Sequence, residues 1–307
     1  MKKISIIGGG FVGGTAAMRI AESGLAQVVL VDVVENVARA KASDLEDSRY
    51  ALGVDSRIEG TSDMASIKES EIVVVTAGLP RKPGMTREDL LVKNAGIMEN
   101  VCRGIVEHAP EAIVIVVSNP LDVMTYLAFK KTGFPRQRVF GMGVNLDSSR
   151  FANLIAQKLF VGIHQVEALV IGSHGETMIP LPRLSTVRGR PLSEMLKPGQ
   201  IAELVERTRK RGAEIVSLYG SGSAYFAPSA AIFEIVKAIL QENASEIPVS
   251  LCLDGEYGLR DVAIGLPAVI GAGGVQRPLV LDLEQDELKA LEESARAIKE
   301  SIRFLNL

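Results

Sequence analysis

Four short, near-continuous apolar runs pace the first half of the chain: Ile4–Ile7, Val28–Val34, Ile72–Thr76 and Ile113–Val117. Their β-branched residues suit strands buried on both faces of a parallel sheet. Between them, Val12–Ala21 and Asp89–Glu107 have helical patterning, and Gly24 stands where the first helix should stop. This βαβ rhythm predicts a doubly wound parallel sheet, a fold whose ligands bind beyond the carboxyl ends of its strands. Three segments fall at such ends: Gly8–Gly13, the loop Gly78–Arg87, and Ser118-Asn119-Pro120.

The texture changes after about Gly143. A helix over Ser148–Lys158 leads to a strand over Val166–Ile171, then to an irregular proline-rich segment, Pro180–Pro198. Helices are expected over Ile201–Leu218 and Pro228–Leu240. A hairpin from Val249–Leu253 through Asp254-Gly255, a strand over Leu279–Asp282 and a terminal helix over Asp286–Phe304 follow. At 307 residues about two domains are expected. Residues 1–143 should form the doubly wound domain and 144–307 an α+β domain that binds substrate, with a cleft between them.

Composition narrows the chemistry. Lys and Arg number 34 against 37 Asp and Glu, a net charge of −3 with the cations scattered, so no footprint for nucleic acid is visible. No apolar run approaches the length of a membrane span and no signal peptide is evident, so a cytoplasmic protein is expected. Cys102 and Cys252 lie far apart without metal-ligand spacing; they read as buried thiols, and no metal site is expected.

The segment Gly8-Gly9-Gly10-Phe11-Val12-Gly13 matches G-x-G-x-x-G directly after a strand and at the opening of a helix. The first glycine permits the tight turn, the second the approach of a pyrophosphate, the third close packing of helix on strand. Asp32 closes the second strand, where a carboxylate can accept hydrogen bonds from an adenosine ribose and would repel a 2′-phosphate. The pattern favours NAD over NADP. A plain glycine turn with a surface aspartate is the alternative.

Of three histidines, His108 ends a helix and His164 lies in a turn, both structural positions. His174 follows an apolar strand within Gly172-Ser173-His174-Gly175-Glu176, with glycines that leave room for a substrate beside a group that titrates near neutrality. Asp147 could orient its ring, although it also suits an N-cap. Arg150, one turn later, could hold a carboxylate. The Gly78–Arg87 loop carries Arg81, Lys82 and Arg87, and Thr86-x-x-Asp89 reads as a capping box that restarts helix. Such a loop is either a solvated surface segment or a lid that brings guanidinium groups to an anion.

In this order, Gly8–Gly13, Asp32, Thr76–Arg87, Ser118-Asn119-Pro120, Leu146–Arg150 and Gly172–Gly175 resemble the lactate/malate dehydrogenase family. The likeness is greater to its malate dehydrogenases of the lactate-dehydrogenase-like type. It implies NAD as cofactor, a small dicarboxylate (malate or oxaloacetate) as substrate, and a homo-oligomer, dimer or tetramer. By position, His174 would exchange the proton, Asp147 would stabilise its charged form, and Arg87 would polarise the substrate carbonyl. Arg150 would hold the C1 carboxylate, and Asn119 would bond the substrate near the reacting carbon. Asn94, Val117, Ser118 and Asn119 would line the nicotinamide side. An arginine at Arg81 accompanies dicarboxylates in this family, whereas glutamine accompanies pyruvate. Lactate or another 2-hydroxy acid is the alternative substrate. Two residues depart from the pattern: Glu176, where the family usually has Asp, and Asn145, which is closer to lactate dehydrogenases.

Overall fold

A computed structural model describes residues 1–80 and 85–306. The first half is built from β1 (Lys2–Ile7), α1 (Phe11–Glu22), β2 (Ala26–Val31), α2 (Glu35–Leu52), β3 (Ile58–Thr61) and β4 (Ile72–Val75). It continues through α3 (Arg87–His108), β5 (Ile113–Val116), α4 (Leu121–Thr132) and β6 (Val139–Gly141). The strands lie in the order β3-β2-β1-β4-β5-β6, all parallel, which is the Rossmann arrangement with its crevice between β1 and β4. Every residue of β4 and β5 is buried, as uninterrupted Ile/Val strands covered by helices on both faces must be.

The second half comprises α5 (Val144–Leu159), β7 (Val166–Glu167), β8 (Val170–Gly172), β9 (Met178–Pro180), β10 (Thr186–Val187) and β11 (Arg190–Pro191). After these come α6 (Leu192–Met195), α7 (Pro198–Tyr219), α8 (Phe226–Leu240), β12 (Ser245–Asp254), β13 (Arg260–Gly271), β14 (Gly274–Pro278) and α9 (Gln285–Phe304). Its strands pair antiparallel: β11, β10 and β7 form a small sheet of their own, and the others join the main one. β12 joins β6 at Ser250↔Gly141 and Leu251↔Phe140, so the main sheet runs on through β13, β8 and β9. One apolar core follows it across both halves; a smaller one around Phe151, Val170, Met178 and Leu204 lies beneath α5, α6 and α7.

Several expectations shift. β2 ends at Val31, three residues early, because Asp32 Oδ1 accepts the Val34 N–H and turns the chain into α2. The strand expected over Val166–Ile171 is two strands in different sheets, β7 and β8. Leu279–Asp282 is not a strand: Pro278 ends β14, and Leu281 N–H bonds the Tyr257 hydroxyl at 2.6 Å instead of a sheet neighbour. The Pro180–Pro198 segment holds β10, β11 and α6 rather than irregular chain alone. Ala38 and Ala42, on an apolar face of α2, pack inward; a side chain on Gly60 would meet the Ala38 carbonyl at 2.2 Å.

Candidate active site

The glycine loop occupies the crevice between β1 and β4. Gly8 has φ +108°, and a Cβ there would meet Ala77 N at 2.7 Å. A Cβ on Gly13 would lie 1.9 Å from the Gly8 carbonyl oxygen, so α1 can approach β1 only with hydrogen at that position. Thr76, behind the loop, donates its hydroxyl to the Gly8 carbonyl at 2.8 Å. Gly10 differs from both: nothing lies within 4 Å of a Cβ built there, and it precedes the first turn of α1 with no side-chain cap. Open space beside uncapped N–H groups at the positive end of a helix is what a pyrophosphate requires, so the residues present fit a dinucleotide. Asp32 is set against the loop, accepting the Gly9 N–H on Oδ2 at 2.6 Å. Phe11 is exposed and stacks on Tyr225, with ring centroids 5.3 Å apart; Val12 is partly buried against the core.

His174 follows β8, and Asp147 lies in the first turn of α5. That helix begins at Val144, with Gly143 as its N-cap, so the capping role for Asp147 is excluded. His174 Nδ1 stands 2.7 Å from Asp147 Oδ2, and Arg150 Nη1 donates to Asp147 Oδ1 at 3.0 Å. The Asp147 side chain is 0% exposed, that of Arg150 11% and that of His174 19%. A carboxylate on Nδ1 fixes the proton there and leaves Nε2 as the exchanging nitrogen. Burial pulls the imidazole pKa down. The charge of Asp147 and its hydrogen bond act oppositely, Arg150 lowers it and Asp122 raises it, and the net shift is upward. Arg150 Nε is buried and finds no hydrogen-bond partner among the described residues.

Asp122, unremarked in the sequence, is equally close to the histidine. It accepts the His174 backbone N–H at 2.8 Å and the Ser250 hydroxyl at 2.7 Å. Burial pushes its carboxyl up to about 6. Ser294 of α9 accepts the neighbouring Ser173 N–H at 3.0 Å. Four separate elements, α4, α5, β12 and α9, thereby hold the short stretch that carries His174.

Arg87 is the first residue of α3, after a capping box in which Thr86 Oγ1 accepts the Asp89 N–H at 3.0 Å. Its Nη2 donates to Glu176 at 2.9 Å, two residues past His174, so the acid at position 176 ties the start of α3 to the histidine segment. Asn94 is 3% exposed and ties Leu79 N–H (2.8 Å) to the Asn119 carbonyl (2.7 Å), fastening the start of the loop to the end of β5. Ser118 donates to the Ala77 carbonyl at 2.5 Å, Val117 is partly buried against the core, and Asn119 is exposed. Arg81 lies outside the described residues. His108 is the last residue of α3 and His164 sits in a 3₁₀ turn, and among the described residues neither bonds any member of this cluster. Burial raises both thiols, Cys102 and Cys252, to about 12, which leaves them unreactive. Among the described residues, no group of His, Cys, Asp or Glu side chains could hold a metal ion, and no helix is long and apolar enough to cross a membrane.

A Rossmann sheet with a fitting phosphate loop, in one chain with a histidine–carboxylate pair and a largely buried arginine, defines a class of nicotinamide-dependent oxidoreductases. The chain belongs to the lactate/malate dehydrogenase family: residues 2–141 match its NAD binding domain and residues 144–305 its alpha/beta C-terminal domain. A malate dehydrogenase of Methanosarcina acetivorans is 47% identical over 307 residues, 100% of both chains. The solved malate dehydrogenase of Salinibacter ruber superposes with a TM-score of 0.95 at 43% identity, covering 99% of this chain and 97% of that one. A lactate dehydrogenase of Cryptosporidium parvum, solved with lactic acid and nicotinamide adenine dinucleotide, superposes equally well (TM-score 0.95) at 38% identity, covering 99% and 98%. The fold alone therefore does not choose between the two substrates.

Proposed function

We propose that the chain is an NAD-dependent malate dehydrogenase that interconverts (S)-malate and oxaloacetate. The observation that carries the chemistry is Asp147, a single buried carboxylate bonded to both His174 and Arg150. It aligns a proton acceptor with a carboxylate clamp for a 2-hydroxy acid. The chemistry that NAD supplies when bound is acceptance of a hydride from C2. His174 Nε2 takes the hydroxyl proton in oxidation and returns it in reduction. Arg150 holds the C1 carboxylate; its unpartnered Nε is a donor free for that purpose. Arg87 polarises the carbonyl as negative charge develops on oxygen, an effect that strengthens when water is excluded. Gly8–Gly13 and Asp32 hold the pyrophosphate and adenosine ribose, and Asn94, Val117, Ser118 and Asn119 form the nicotinamide side, with Asn119 also bonding the substrate.

The dicarboxylate rests on full-length likeness to malate dehydrogenases and on Arg81, the second guanidinium of the lid. Pyruvate would leave Arg81 desolvated and unpaired, a penalty of roughly 3–5 kcal/mol, or two to four orders of magnitude in selectivity. The reaction is a step of the tricarboxylic acid cycle, and we assign it to a cytoplasmic homo-oligomer, dimer or tetramer. Residues 1–143 bind NAD and 144–307 carry the catalytic histidine and bind substrate. The test is NADH oxidation with oxaloacetate, pyruvate and 2-ketoisocaproate side by side. Oxaloacetate should lead by at least about a hundredfold in kcat/KM, and Arg81→Gln should narrow that lead. A parent that prefers pyruvate would refute the assignment.

A further inference from the structure

Lys41 lies on α2, in a charged helix whose pattern does not single it out. It forms no ion pair with a carboxylate among the described residues. Its Nζ donates to two backbone carbonyls of the glycine loop, Gly9 at 2.5 Å and Gly10 at 2.9 Å. The side chain passes over Gly14, where a Cβ would come within 3.1 Å of both Lys41 Cδ and Nζ. The second glycine of the Gly13-Gly14 pair thus lies against the lysine, while the first admits the strand. The ammonium lies 5.8 Å from the centre of the exposed Phe11 ring. Burial lowers its pKa and the nearby Asp32 charge raises it, the net being downward.

A trans peptide directs its N–H opposite to its C=O. A cation on the Gly9 and Gly10 carbonyls therefore turns the Gly10 and Phe11 N–H groups away from itself, with nothing in front of Gly10. Asp32 accepts the Gly9 N–H of the same loop. The phosphate loop is held by both a carboxylate and an ammonium, and the net charge beside it is close to zero rather than −1. That matters for a ligand with a doubly charged pyrophosphate, which Asp32 alone would repel.

We propose that Lys41 is a dinucleotide-binding residue, whose ammonium offsets Asp32 and supplies positive charge to the pyrophosphate while pinning the loop that holds it. The assignment rests on the reading of Gly8–Gly13 as the phosphate site. One ammonium across the loop from a phosphate, at a partly screened surface, contributes on the order of a tenfold change in affinity.

The test is direct binding without turnover: fluorescence titration with NADH, and calorimetric titration with ADP and adenosine, on the parent, Lys41→Met and Lys41→Arg. Lys41→Met keeps the aliphatic stem and removes the charge. It should bind NADH and ADP about tenfold more weakly and adenosine within twofold, with Lys41→Arg recovering most of the loss. If Lys41→Met binds NADH within twofold of the parent, the proposal fails. Equal weakening of adenosine and ADP, or no recovery in Lys41→Arg, would mean that only loop shape is involved, and also overturns it. Should Lys41→Met fail to fold, Lys41→Gln retains donors for the carbonyls; failure of both makes the residue structural and ends the proposal. A parent that does not bind NADH refutes the phosphate-site reading itself, an outcome distinct from a parent that binds and a Lys41→Met that binds equally.

Discussion

Two buried carboxylates flank His174 and act differently. Asp147 meets the ring, whereas Asp122 meets the backbone N–H. Because Asp147 supplies the largest upward effect on the imidazole, Asp147→Asn should bring its pKa down. Oxaloacetate reduction needs the protonated ring, so its rate is full below that pKa and lost above it. The alkaline limb of the kcat/KM profile should accordingly move to lower pH in Asp147→Asn, with turnover down by roughly 10²–10⁴. An unmoved limb would remove Asp147 from the proton chemistry. Stability follows the same sign: a raised histidine pKa contributes fully below its unfolded value near 6.5 and fades as pH climbs through the folded one. Asp122→Ala should strand two donors, lowering the unfolding free energy by about 1–3 kcal/mol and loosening His174. Thermal melts and kcat measured together would check this, and a variant with parental values in both would refute it. His174, Asp147 and Arg150 were legible because each stands in a short polar motif between glycines or at a helix start. Asp122 was not: its partner Ser250 lies 128 residues away, and burial of an acid inside a helical pattern leaves no local trace. Lys41 was hidden for the same reason, since its partners Gly9 and Gly10 lie 32 and 31 residues away.

At the scale of elements, glycine positions that look alike in the sequence have different structural duties. Gly8 and Gly13 are required by backbone contacts, but Gly10 faces open space with φ near −62°. Gly10→Ala should therefore leave the melting temperature of the ligand-free protein within about 2 °C of the parent, because no strain or clash arises. NADH affinity should fall at least about tenfold as the methyl meets the pyrophosphate. A variant that melts normally and binds NADH normally would move the phosphates elsewhere. The strands and helices of the first half were readable because each carries its own period. Elements that depend on distant partners were misread: Val166–Ile171 looks like one strand until Leu169 turns to the Ser185 hydroxyl, and Leu279–Asp282 looks like a strand until Tyr257 takes its N–H.

At the scale of the molecule, the change of texture near Gly143 was visible in the sequence, but the union of the two halves was not. It depends on β6, a strand of three residues, too short to register as a pattern, that pairs with β5 on one side and β12 on the other. Phe140, fully buried, stands at this junction, opposite both Ile115 and Leu251. A sheet shared in this way should make the halves unfold together, since neither can leave without exposing the other's strand edge. Calorimetry should show one transition, and Phe140→Ala, opening a cavity worth roughly 3–5 kcal/mol, should lower that transition without splitting it. NADH should then protect amides of β12 and β13 from hydrogen exchange as well as those of β1 and β4, because ligand on the first half stabilises the only folded state available to the second. Two separated transitions, or protection that stops at β6, would show that the halves fold as independent units and that β6 only touches β12.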